Sequence, residues 1–355
     1  MSILGLFYSE AHIMFIAFTE QHCHELLTIR ANETKLGQQV LLANSQLTLK
    51  QNAQDAAAKG ARFAIIAIAE DTGPRANLGR GGADDVFNAC IKQLLNLQSN
   101  RFLQGNECVI LGQICQDSTA EPTASIDELR QATAKLDDLV IDATTHILQA
   151  GLEPIVIGGG HNNAYGLLMA TKAHSGLPVA AVNLDPHSDF RPREGRHSGN
   201  GFSYAAASGA LDHYHILGLH ELKNSEATLE QLSLFGATWH SFQQIWVRRE
   251  LPLDNALKQI AKGLNQTQLP VALELDVDAI ANMPSSAATF AGIPLLDACH
   301  YVHYIAKHCP CSYVHFAEAA PACHHAGTTA GYRDVGQGLS ELIYAYIQGR
   351  LARLN

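Results

Sequence analysis

The 355-residue sequence is short of charge, and shorter still of positive charge. Only 16% of its residues are charged, and the net charge is −10 with neutral histidines. Binding to a phosphate backbone needs a basic face, so nucleic acid is not the expected partner and a small molecule is. A long apolar run is also missing. In the stretch Met1 to Phe18 no basic residue leads, Glu10 and His12 interrupt, and Ile13 to Phe18 is left as the uninterrupted segment. A spanning helix needs roughly 20 residues, so neither a targeting segment nor a membrane partner is expected. Cys23, Cys90, Cys108, Cys115, Cys299, Cys309, Cys311 and Cys323 are scattered without a disulfide-framework pattern. They read as reduced thiols, which favours the cytoplasm. Internal repeats, heptads and low-complexity tracts are absent.

What is present is a 47% hydrophobic composition, enough at this length to bury a large core without a partner or disulfides. Short runs of Val, Ile and Ala alternate with longer amphipathic stretches, the pattern of βαβ units around a parallel sheet. Strands are expected at 61–69, 108–114, 154–157, 179–184, 215–219, 270–275 and 313–317. Fully apolar runs imply coverage on both faces. Ser125, with Glu128 three residues on, forms a capping box for a helix whose apolar face is Leu129, Ala132, Leu136, Leu139, Val140, Ala143 and Ile147, and Gly151 stops it. Another helix is expected from Asn163 to His174. Residues 1–60 carry mixed helical patterns, including Gln38 to Ala58, and are expected to form an extension packed on one domain spanning 61–355.

Chemistry is concentrated where three of these strands end. Asp185, His187 and Asp189 stand at alternate positions after the run Val179 to Leu184. In extended chain such residues share a face, so two carboxylates and an imidazole are crowded together, a repulsion that a bound cation removes. Asp276 and Asp278 end the run from Val271, and His161 follows Gly158-Gly-Gly160. An isolated Asp-x-Asp is commonly a helix cap, and a lone histidine after glycines a loop residue. Three ionisable groups on one face behind a buried run have no such structural explanation. Six ligands on three strand ends point to a hydrolase with two metals, which activate a shared water when about 3.5–4 Å apart. The His and Asp set without cysteine favours Mn²⁺, with Zn²⁺, Ni²⁺ or Fe²⁺ compatible. A dinucleotide loop is the rival reading of the glycines, but Asn163 stands where the third glycine is needed.

At these residues the chain resembles the ureohydrolase family, which includes arginase, agmatinase and formimidoylglutamase. The shared blocks are Gly-Gly-x-His (Gly158 to His161), Asp-x-His-x-Asp (Asp185 to Asp189), x-x-Asp-x-Asp (Glu274 to Asp278) and Glu-x-x-Pro (Glu318 to Pro321), in family order, with the likeness running from Ala61 to the C-terminus. The resemblance implies a three-layer αβα arginase-like fold with a mainly parallel sheet, two Mn²⁺ per subunit and self-association. It implies that His161, Asp185, Asp189 and Asp276 hold one ion and that Asp185, His187, Asp276 and Asp278 hold the other. Asp189 would orient the nucleophilic water and move its proton, Glu318 would accept hydrogen bonds from the substrate's cationic nitrogens, and His197 is the candidate proton shuttle.

The segment Arg75-Ala-Asn-Leu-Gly-Arg-Gly-Gly-Ala83, the triplet Asp189-Phe-Arg191 and the block His197-Ser-Gly-Asn-Gly-Phe202 are similar to the formimidoylglutamase branch. That branch hydrolyses N-formimidoyl-L-glutamate to L-glutamate and formamide, in histidine degradation. The dicarboxylate tail would then be met by Arg75, Asn77, Arg80, Arg191 and Asn200. The alternatives are an arginase or a guanidino-acid or agmatine hydrolase that releases urea. The chain departs from the family at Pro186 (usually Ala), Asn162 (often Ser or Glu) and Glu274 (Ser), and 282–290 lacks the Asp-Pro continuation. None of these removes a ligand; all lie close to the substrate.

Two readings lie outside the family. A metallophosphoesterase also uses Asp-x-His with two metals, but its Gly-Asn-His block is not found. A non-catalytic zinc-binding protein would use the dense Cys and His stretch 299–325, where Cys309-Pro-Cys311 is one residue short of the usual pair spacing.

Overall fold

The computed structural model describes residues 14–115 and 123–354. The first thirteen residues of the Met1–Phe18 stretch and most of the loop before Ser125 lie outside them. Among the described residues ten strands form one sheet: β1 (Met14–Ala17), β2 (Leu41–Leu42), β3 (Phe63–Ile68), β4 (Cys108–Cys115), β5 (Glu153–Ile157), β6 (Val179–Leu184), β7 (Leu211–Leu219), β8 (Thr238–Ser241), β9 (Val271–Asp276) and β10 (Cys311–Ala317). Their order is β1-β4-β3-β5-β10-β9-β6-β7-β8, with β2 also on β4. Every pairing is parallel except that of β1 with β4.

The apolar runs are strands because the sheet is covered on both sides. In β3, Phe63, Ile65 and Ala67 face one core while Ala64, Ile66 and Ile68 face the other, as the two-residue period requires. The first core is closed by α4 (Val86–Leu95), α9 (Leu253–Thr267), α10 (Leu295–His308) and α11 (Thr328–Leu354). The second is closed by α2 (Leu49–Ala58), α5 (Ile126–Gln149), α6 (Ala164–Ser175), α7 (Gly201–Ala207) and α8 (Glu226–Phe235). Two short helices, α1 (Glu20–Leu26) and α3 (Thr72–Ala76), complete the set. This is the three-layer arrangement expected.

The Ser125 box is formed: Ser125 Oγ accepts from Glu128 N–H, and Glu128 accepts from Ser125 N–H at 2.7 Å. The N-terminal segment differs from its helical pattern. Helix α2 starts only at Leu49, behind the Thr48 cap, and 39–47 instead supplies β2 and a turn. No described helix is long and apolar enough to cross a membrane.

Candidate metal centre

The site begins with register. Phe316 pairs with Ile157 on one side and Leu275 on the other, and Leu275 pairs with Leu184, so four adjacent parallel strands end in one row. The residues at and just past these ends are thereby brought together: His161 after β5, Glu318 after β10, Asp276 and Asp278 at the end of β9, and Asp185 to Asp189 after β6. The chain passes from β5 across a gap to β6, and β9 and β10 fill it later. Ligand crevices form at such carboxyl ends.

Gly158 and Gly159 bend the chain out of β5 with φ of 75° and 67°. A Cβ on Gly158 would stand 2.0 Å from Val86 Cγ1, so only glycine lets the loop lie this close to α4. Buried Glu70 then clamps the loop. It accepts from Gly160 N–H (2.6 Å), Gly73 N–H (3.0 Å) and Asn163 Nδ2 (2.8 Å), tying β5's loop to the one after β3.

His161 Nδ1 lies 2.9 Å from Asp189 Oδ2, 3.3 Å from Asp185 Oδ2 and 3.7 Å from Asp276 Oδ2. His187 Nδ1 lies 3.2 Å from Asp278 Oδ2 and 3.5 Å from Asp185 Oδ1. The six predicted ligands thus form two adjoining groups, His161 with Asp185, Asp189 and Asp276, and His187 with Asp185 and Asp278. Asp185 belongs to both, one oxygen to each; Asp276, expected to be shared as well, falls in the His161 group alone, because its other oxygen accepts from Asp278 N–H. Backbone bonds aim the carboxylates: His187 N–H donates to Asp185 Oδ1 (2.6 Å) and Asp278 N–H to Asp276 Oδ1 (2.9 Å). Burial and the charges of Asp278 and Asp185 push Asp276 well above the usual carboxylate range. The imidazoles of His161 and His187 outweigh burial at Asp185 and hold it low.

The donor set fits divalent cations. His161 Nδ1 and Asp278 Oδ1 are buried without a hydrogen-bond partner, the condition of an atom whose proper partner is a metal. Glu318 stands beside the first group. Its Oε1 accepts from His161 N–H at 2.9 Å, and burial, reinforced by the Asp189 charge, pushes it up to about 8.

Behind these two groups runs a buried polar row to which the motifs assign no role. Asn183, Glu274 and His315 are register partners on β6, β9 and β10, all without solvent exposure. Asn183 Nδ2 donates to Asp185 Oδ2 at 3.0 Å. The signal was available: each is a polar residue inside an otherwise apolar strand, which burial penalises unless it is partnered.

The remaining candidates lie around this centre. His197 is fully buried in the 190–200 loop; Nδ1 accepts from Gly199 N–H (3.1 Å), and burial with the charges of Arg191, Arg130 and Arg196 lowers it to about 3. Asn200 spends its amide on Arg196, His197 N–H and the carbonyls of Pro192 and Gly195. Asn77 Oδ1 accepts from Arg191 at 2.6 Å, joining the β3 and β6 loops. Arg75 faces Asp71 at 3.4 Å, and Arg80 reaches the Ser285 and Ser286 carbonyls at 3.4 Å beside a 260 Å³ cavity. In the Cys and His stretch, His300 pairs with Asp254 and His324 with Asp334. Among the described residues only His315 of that stretch enters a metal-compatible group, and no cysteine is disulfide-bonded.

A family model described as "Arginase family" matches residues 62–332. Formimidoylglutamase of Salmonella heidelberg (strain SL476) is 28% identical over 257 residues, 69% of this chain and 74% of that protein. Among solved structures, formimidoylglutamase from Bacillus subtilis subsp. subtilis str. 168 superposes with a TM-score of 0.72 at 15% identity, over 91% of this chain and 94% of its own. Trypanosoma cruzi formiminoglutamase with Mn²⁺ gives 0.70 at 18% identity, over 90% and 98%.

Proposed function

Since the chain belongs to the arginase family, we propose that it is a dimanganese hydrolase of amidine C–N bonds whose substrate is N-formimidoyl-L-glutamate. One observation carries the two-cation reading: Asp185 offers one oxygen to each of two adjoining ligand groups. Two divalent ions held there would supply a water activated at neutral pH.

The chain's own groups do the rest. Glu318, fixed by His161 N–H and driven to ionise by the positive charge of the bound amidine, accepts hydrogen bonds from its cationic nitrogens. Asp189 orients the attacking water, takes its proton and delivers it to the departing nitrogen. The water oxygen bonds to the formimidoyl carbon, the bond from that carbon to the glutamate nitrogen breaks, and formamide and glutamate leave. Arg75, Arg80 and the Asn77–Arg191 pair meet the two carboxylates, which fits the names of the similar proteins. His197 and Asn200 brace the loop that presents Arg191. Eight cysteines with no disulfide among them favour a cytoplasmic location.

The test is a substrate panel with the Mn²⁺-loaded protein, reading formamide and urea separately. Formamide from N-formimidoyl-L-glutamate is expected. Urea from arginine or agmatine instead would move the protein to another branch of the family, and turnover of aryl phosphates alone would sink the reading.

A further inference from the structure

His161 has two ring nitrogens, and the ligand set uses only Nδ1. Its Nε2 is buried and has no hydrogen-bond partner of good geometry, but Glu274 Oε2 stands 3.4 Å away. Glu274 is fully buried and held from two sides. Tyr313 O–H donates to Oε1 at 2.6 Å, and His315 Nδ1 lies 2.8 Å from Oε2. His315 is anchored in turn, with Nε2 3.2 Å from the Gly158 carbonyl at the root of the His161 loop.

We propose that Glu274 is a positioning residue for the deeper of the two cation positions, the one served by His161, Asp185, Asp189 and Asp276. The inference rests on the two-cation reading above. A carboxylate at Nε2 keeps that nitrogen protonated, which leaves the Nδ1 lone pair for the cation and fixes the ring plane. It also adds a negative charge in a site shut off from water, where electrostatic attraction is little screened. Among the described residues, the carboxylates paired with His187 are Asp185 and Asp278, both at Nδ1 and both in the candidate ligand set, and no ion pair is formed at its Nε2. Losing Glu274 therefore affects one cation and spares the other.

The experiment titrates metal-free wild-type and Glu274→Gln protein with Mn²⁺, following stoichiometry and the EPR signal. Wild type is expected to take two ions with a spin-coupled signal. Glu274→Gln is expected to bind one ion as wild type does and the other roughly 10- to 100-fold more weakly, the usual cost of removing a partner of a metal-bound histidine. At intermediate Mn²⁺ it gives an uncoupled single-ion spectrum. Two ions bound within twofold of wild type would overturn the proposal, as would equal weakening of both. If Glu274→Gln gives no cooperative unfolding transition, Tyr313→Phe replaces it. That variant frees one carboxylate oxygen and is expected to weaken the same ion alone, by a smaller factor; unchanged binding of both ions overturns the proposal. Wild type that takes fewer than two Mn²⁺ overturns the two-cation reading, and the proposal falls with it.

Discussion

Asp189 and Glu318 have φ of 47° and 67°, a left-handed conformation that costs a side-chain-bearing residue on the order of 1–3 kcal/mol. Each sits just beyond a strand end, and the bend points its carboxylate back at His161. Glu318→Gln keeps the shape and removes the charge. It is expected to retain both cations by metal analysis while kcat/KM falls roughly 10- to 150-fold, the worth of about 1.5–3 kcal/mol for a hydrogen bond to a charged group. Asp276→Asn is expected to lose bound metal and turnover together; full activity would show that this carboxylate is no ligand. All six residues of the two metal-compatible groups were legible in the sequence because their spacing concentrates charge where apolar runs stop. Glu70 was not, since its four donors come from segments up to 93 residues away. Nor was the role of Glu274 and His315, which exists only once β9 and β10 lie side by side.

At the scale of elements, the buried parallel strands were readable to within a few residues, because burial on both faces leaves an uninterrupted apolar run. The edges β1 and β8 were missed: β1 is four residues long, and Thr238, Trp239 and His240 mix polarity on a half-exposed strand. Helix α5 was readable from its cap. Ser125→Ala should cost about 1 kcal/mol, visible as a shift in the denaturant midpoint. Helix α11 depends on something no periodicity shows, the absence of side chains where it meets its neighbours. A Cβ on Gly336 would stand 2.3 Å from the Ala89 carbonyl of α4. Gly336→Ala should therefore destabilise by about 1–3 kcal/mol, although alanine favours helix at an exposed position.

For the molecule as a whole, one source of acid sensitivity lies away from the candidate metal centre. His215 on β7 is buried, with Nδ1 2.7 Å from Thr238 Oγ1 and Nε2 3.0 Å from His240 Nδ1, whose own Nε2 lies 3.2 Å from Gln259. Burial, then the nearness of His240 and His213, holds His215 well below its ordinary value, and burial lowers the other two as well. The unfolded chain therefore takes up these protons first. Stability is complete above about pH 6.5 and is lost as pH falls, by about 1.4 kcal/mol per pH unit for each unmatched proton. In denaturant titrations between about pH 6.5 and 5.5, His215→Asn should lose less stability on acidification than wild type, by up to about 1.4 kcal/mol per pH unit. An unchanged slope would remove His215 as its source.

On the ribosome, β10 is the last strand made, yet it belongs in the middle of the sheet, between β5 and β9. Residues up to 157 can assemble one half-sheet and residues 179–276 the other, but neither has its inner neighbour until Cys311–Ala317 has been synthesised. Until then the growing polypeptide carries two unpaired inner strands, the kind of edge that invites pairing with other chains. The nascent protein should thus need shielding late in translation, and a chain cut short before Cys311 should aggregate rather than accumulate as a smaller folded unit.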